Sequence, residues 1–152
     1  MNENENLLGM IHDYFPAEKR DAGTYSPLTL AYLGDAVFEI IIRTLVVEDC
    51  HRTVKALHKQ SSRLVNATAQ AALMSHIEDC LTDEEMTVFK RGRNAKSHSV
   101  AKNAGVQDYR IATGFEALLG YLYLSGKLER CLELVRLGLP VIQSSPASLD
   151  ER

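Results

Sequence analysis

From Pro27 to Val47 the chain is apolar on nearly every side of a helix. Leu28, Leu30, Leu33, Val37, Phe38, Ile40, Ile41, Ile42, Leu45 and Val46 spread round the whole circumference at helical spacing. A helix with no polar face is a buried one, so the remaining chain must supply several elements to surround it. Ile40, Ile41 and Ile42 alone would suit a strand, but the length of the run and the spacing of its charges favour helix. Only Asp35, Glu39 and Arg43, with Tyr32 among them, make a narrow polar stripe. Ser26 is placed as N-cap, with Pro27 at the first helical position.

The rest of the chain is also patterned as helix. Leu7 to Phe15 predicts a short amphipathic helix that stops before Pro16, followed by a polar connection to Tyr25. A long helix is expected from Arg52 to Ile77. Arg52, Lys55, Lys59, Arg63, Asn66 and Gln70 would form its basic polar face, opposite Leu57, Leu64, Thr68, Ala71 and Ser75. Thr82-Asp-Glu-Glu85 is a capping box that opens a helix ending near Gly92. A polar loop from Arg93 to Gly105, a helix from Val106 to Leu124 stopping at Gly126, and a last helix from about Lys127 complete the chain. Pro140 is expected to end or kink that last helix. The fold class is therefore all-α, a helical bundle in a single domain over residues 1–152. Its core is about 27–143, and residues 1–5 and 144–152 are expected to be flexible.

A chain of 152 residues can bury a core without staples. It contains no apolar run of membrane-spanning length, and Met1 to Asn6 has neither the basic start nor the apolar stretch of a signal peptide. The expected compartment is the cytoplasm. Cys50, Cys80 and Cys131 form no CxxC pair, which argues against a disulfide framework or a zinc site. The formal net charge of -3 conceals two basic segments. Between Cys50 and Ile77 there is no acid but there are Arg52, Lys55, Lys59 and Arg63. Between Met86 and Gln107 there is again none, but there are Lys90, Arg91, Arg93, Lys96 and Lys102.

Two carboxylates sit where burial would be costly, Asp35 in the apolar helix and Glu116 within Thr113-Gly-Phe-Glu-Ala-Leu-Leu-Gly-Tyr121. Ala112, Thr113, Ala117 and Gly120 near Glu116 are small enough for another helix, a metal or a substrate backbone to approach. Either acid could instead be paired inside a bundle, Asp35 with Arg43 for example. Two carboxylates from different helices also suit magnesium, which takes few carboxylates and retains waters, one of which becomes acidic enough to attack a phosphodiester.

Leu33-Gly-Asp-Ala-Val37 resembles the signature of the ribonuclease III catalytic domain, and Phe115-Glu-Ala-Leu-Leu-Gly120 resembles that family's second acidic motif. Leu30 to Glu39, His58-Lys-Gln-Ser-Ser-Arg63, Lys90-Arg-Gly-Arg-Asn-Ala-Lys96 and Asp108-Tyr-Arg110 are similar to the Mini-ribonuclease III branch, which lacks a double-stranded RNA-binding domain. The resemblance runs from about Pro27 to Leu134. It implies an all-helical homodimer with an RNA-binding valley across both subunits, and catalytic magnesium held at Asp35 and Glu116 in each. It implies cleavage of double-stranded RNA to 5′ phosphates and 3′ hydroxyls, in trimming 23S ribosomal RNA precursor with help from a large-subunit ribosomal protein. Larger relatives carry acids where this chain has Ala31 and Thr113, so fewer protein ligands reach the metal and a second metal is not expected. Glu39 and Thr113 are outer-shell candidates, Glu39 having an ion pair with Arg43 as its alternative.

Lys90, Arg91, Arg93, Asn94 and Lys96 are the first candidates for RNA contact, with Gly92 allowing a sharp turn and close approach. Duplex RNA is read by backbone shape and 2′-hydroxyls, so no aromatic platform is required. Lys59 and Arg63 on the basic helix are a second set, and His98 a further loop candidate. Tyr32 and Phe38 are candidates for the dimer interface, which would cover what one domain leaves bare. Two other classes compete: a helical RNA-binding or ribosome-assembly factor without catalysis, and a nucleotide pyrophosphohydrolase. The latter class clusters acids in closely spaced pairs, which Asp35 and Glu116 do not form.

Overall fold

The computed structural model describes residues 6–49, 53–95 and 105–143, and every regular element in them is helical. The α-helices are α1 (Leu7–Tyr14), α2 (Pro27–Asp49), α3 (Val54–Val65), α4 (Ala67–Ile77), α5 (Asp83–Arg93), α6 (Val106–Leu124) and α7 (Leu128–Gln143), with short 3₁₀ turns at Ala22–Thr24 and Glu78–Cys80. Cys50, Arg52, Lys96, His98, Lys102 and both chain ends, singled out by the sequence, lie outside the described residues.

The surrounded helix is α6 rather than α2. Phe115, Ala117, Leu118, Leu119 and Leu122 of α6 are buried, and α2, α4, α5 and α7 pack around it. Phe38 of α2 meets Phe115 edge-on, with ring centroids 5.2 Å apart. Phe38 is 0% exposed, which removes it from any subunit interface. The other flank of α2 is uncovered: Tyr32 is 83% and Ile40 58% exposed. The all-round apolar pattern of α2 thus reflects a core face plus a bare apolar flank, not complete burial within one chain.

The predicted Arg52–Ile77 helix is two helices. Asn66 is extended, with ψ 163°, and its side chain does two jobs. Its Oδ1 accepts from the Ala69 N–H at 2.8 Å, capping α4, and its Nδ2 donates to the Arg63 carbonyl at 3.0 Å, closing α3. The break turns the faces. Gln70 is buried, while Thr68 and Ser75 are exposed, so the basic face belongs to α3 alone.

The other boundaries follow local chemistry. Ser26 Oγ accepts from the Thr29 N–H ahead of α2. Thr82 and Glu85 form the complete capping box of α5. After α6, Gly126 adopts φ 75°, and the Lys127 and Gly126 N–H groups bond the Leu122 and Tyr123 carbonyls, a Schellman ending. Pro140 does not end α7, which continues to Gln143. The proline lies on an exposed position near the helix end, where lacking one N–H costs little.

Glu85 has a second partner. Arg130 of α7 grips its carboxylate with Nε at 2.8 Å and Nη2 at 3.0 Å, and Nη2 also donates to the Cys80 carbonyl. The capping residue of α5 is thereby tied to α7, and the Glu85 carboxyl is held below its ordinary range chiefly by that guanidinium.

Candidate active site

Two glycines decide how α2 and α6 meet. A β-carbon on Gly34 would lie 1.6 Å from the Glu116 carbonyl oxygen, and one on Gly120 would lie 2.0 Å from the Leu30 carbonyl oxygen. Backbone touches backbone at this crossing, so Asp35, next to Gly34, is set against Glu116, one turn before Gly120. Ala31 is buried with Leu30 and Ala117 at the same contact.

The crossing brings the two carboxyl groups close enough for Asp35 to act on the ionisation of Glu116. Asp35 is exposed, contrary to the burial expected for it, while Glu116 is half-buried. Burial pushes the Glu116 carboxyl up to about 8, helped by the charge and hydrogen bond of Asp35 and by the charge of Glu39. Glu39 lies one turn beyond Asp35, and its Oε2 accepts from Arg43 Nε at 2.8 Å. The pairing of Arg43 is thus with Glu39. Thr113 is buried, and its hydroxyl donates to the Tyr109 carbonyl at 2.9 Å, so its proton is committed within α6.

A second glycine crossing brings α5 to the same turn of α6. A β-carbon on Gly92 would stand 2.7 Å from Ala117 Cβ and 2.9 Å from Gly114 Cα. Gly92 is therefore a buried helical packing residue, not the turn expected from the sequence. The crossing places the last turn of α5 beside the turn that carries Glu116. Lys90 and Arg91 are exposed there, and the Arg93 guanidinium lies 5.7 Å from the Phe89 ring centroid with Nε donating to Asn94 Oδ1 at 3.3 Å. Lys59 and Arg63 stand apart from this group, on α3.

The structure thus brings together Asp35, Glu116, Glu39 and the basic end of α5, with Arg43 anchored to Glu39. It separates Phe38, which is core. Gly34 and Gly114 escaped the sequence reading as positioning residues. Their signal was present in the small residues of Leu33-Gly-Asp and Thr113-Gly-Phe, which reveal their role only once the facing helix is known. Among the described residues no group of three or more His, Cys, Asp or Glu side chains is gathered as a metal cage. The Asp35–Glu116 pair nevertheless fits a hard dication: both donors are carboxylate oxygens, and a cation would offset the burial of Glu116 and the charge of Asp35 beside it.

The Ribonuclease III domain profile matches residues 28–127. A Mini-ribonuclease 3 from Clostridium tetani is 47% identical over 139 residues, covering 89% of this chain and 92% of the relative. One from a Thermoanaerobacter species is 42% identical over 139 residues, covering 91% and 98%. A crystal structure of a protein from Fusobacterium nucleatum superposes with a TM-score of 0.72 at 30% identity, covering 80% of this chain and 98% of that one.

Proposed function

The chain belongs to the ribonuclease III family, alongside the Mini-ribonucleases 3, and on that premise we propose that it cuts double-stranded RNA at a magnesium site held by Asp35 and Glu116. Membership makes it an endoribonuclease acting on double-stranded RNA, a phosphodiester hydrolase of the kind that leaves 5′ phosphates. The observation that carries the site is the convergence of the two carboxyls, with the Glu116 carboxyl pushed up to about 8. An acid raised first by burial and then by a neighbouring acid in a cleft between helices is a functional-site candidate, and a cation would relieve both.

Magnesium bound there would supply Lewis acidity to the phosphodiester. Asp35 and Glu116 would hold the ion, and the glycine crossing sets their helices against each other. Glu39 adds negative charge one turn away and acts through the outer shell. Lys90, Arg91, Arg93 and Asn94 at the end of α5, with Lys59 and Arg63 on α3 as a second contact, bind the RNA backbone.

The working form is a homodimer. The bare flank of α2 supports this, since the exposed Ile40 lines an apolar cavity of about 510 Å³ with Leu33, Ala36, Leu45, Tyr123 and Leu132, and Tyr32 is exposed on the neighbouring side of the helix. Maturation of 23S ribosomal RNA precursor in the cytoplasm, aided by a large-subunit ribosomal protein, rests on the family resemblance alone.

The test is incubation of long double-stranded RNA with magnesium or with EDTA, for the natural chain, Asp35→Asn and Glu116→Gln. Cleavage that needs magnesium and disappears in both variants supports the reading. Binding without cleavage, unchanged by either substitution, sinks it in favour of an RNA-binding factor.

A further inference from the structure

Arg43 is the single cation of α2, and it stands two helical turns beyond Asp35 on the same side, roughly 12 Å along the axis. Its Nε is committed to Glu39, which fixes the guanidinium plane, and among the described residues neither terminal amino group is engaged. The side chain is 55% exposed. It lines a cleft of about 160 Å³ between α2 and α3, whose other walls include Val46, Val47, Val54, Leu57 and His58. Ser61 also reaches the cleft, but its hydroxyl donates to the His58 carbonyl. The polar donors facing outward there are Arg43 and the exposed His58, set against apolar walls.

The cleft also joins two parts of the molecule. On one side is the acidic stripe of Asp35 and Glu39, which repels a polyanion in the metal-free protein. On the other is the face of α3, where Lys55, His58 and Lys59 are exposed within one turn. A duplex that lays a phosphate at the acid pair needs a cation on the same face to offset that repulsion. Arg43 is placed to do this, because pairing with Glu39 cancels one acid without using up its donors.

We propose that Arg43 is a substrate-positioning residue, holding a backbone phosphate of the RNA duplex in the cleft between α2 and α3 with His58 beside it. The proposal rests on double-stranded RNA being the substrate. Lysine is a poor replacement, since one compact ammonium serves Glu39 and a phosphate less well than a guanidinium fork does.

The experiment measures binding of a short blunt RNA duplex in EDTA across a salt series, and steady-state cleavage of the same duplex with magnesium. The proteins are the natural chain, Arg43→Ala, Arg43→Lys, His58→Ala and Asp35→Asn. Arg43→Ala is expected to raise Kd and KM about tenfold, leave kcat within about twofold, and lower the slope of log affinity against log salt by about one. Arg43→Lys falls between, and His58→Ala shows a smaller rise in Kd. Unchanged Kd and salt slope in Arg43→Ala overturn the proposal. So does a fall in kcat at constant KM, which would mean that Arg43 acts only through Glu39. So does a loss of affinity that tracks dissociation of subunits in sedimentation. If the natural chain binds the duplex but never cuts it, the nuclease reading fails while the Arg43 comparison still stands or falls on Kd and salt slope. Asp35→Asn, retaining binding without cleavage, separates the two.

Discussion

Gly34 rests on the main chain of Glu116 so closely that a β-carbon would stand 1.6 Å from its carbonyl oxygen and 2.9 Å from the Gly120 nitrogen. Both obstacles are backbone, which cannot swing aside. Gly34→Ala must therefore push α2 off α6. The expected cost is at least about 3 kcal/mol in urea unfolding. In any folded fraction the cleavage rate should fall about a hundredfold, because Asp35 and Glu116 lose their register. A variant with natural stability and rate would show that the crossing does not set the site.

Glu116 gives a pH dependence in metal-free protein. Its carboxyl is raised from an ordinary 4.5 to about 8 in the fold, so between those values the folded state holds the proton more firmly than the unfolded chain. Stability from this group is present below about 4.5 and is lost as pH rises toward about 8. Thermal melting in EDTA should show the natural chain losing stability across that window relative to Glu116→Gln. Parallel profiles for the two proteins would contradict the assignment.

Glu85 shows the opposite sign. Its carboxyl is depressed mainly by the Arg130 guanidinium, so its contribution is present above the unfolded value near 4.5 and is lost as pH falls through the folded one. Arg130→Leu leaves Glu85, whose side chain is 7% exposed, without its cation. The expected loss is about 3 kcal/mol at neutral pH, shrinking in acid. Urea titrations at neutral and acid pH measure both parts.

The bare flank of α2 predicts the assembly. Ile40→Asp places a charge on a 58% exposed position in the apolar cavity, away from the buried Phe38. Sedimentation should give twice the chain mass for the natural protein and the single-chain mass for the variant, with helical content unchanged by circular dichroism. A natural chain that sediments as a monomer would remove the dimer.

Much of this was legible before any coordinates. Helical periodicity located every α-helix except the break at Asn66, where a single side chain competing for backbone groups outweighed a continuous pattern. The acid on the apolar helix and the acid among small residues were both visible as anomalies, because charge in apolar surroundings is costly wherever the chain goes. Periodicity also showed that α2 had more apolar surface than one face could use. It could not say which part was core, since Phe38 and Ile40 look alike until α6 is laid against one of them.

The sequence by itself determined an all-helical chain, its two chemically unusual carboxylates, and its basic stretches, because these depend on local spacing and on the identity of single residues. Only the tertiary structure decided that Asp35 stands in the open while Glu116 is half-buried, and that Gly92 is a packing residue instead of a turn. The physical reason is distance along the chain. Burial, charge coupling and steric contact between residues far apart in sequence arise only where two helices cross, and here glycine sets how closely they do so.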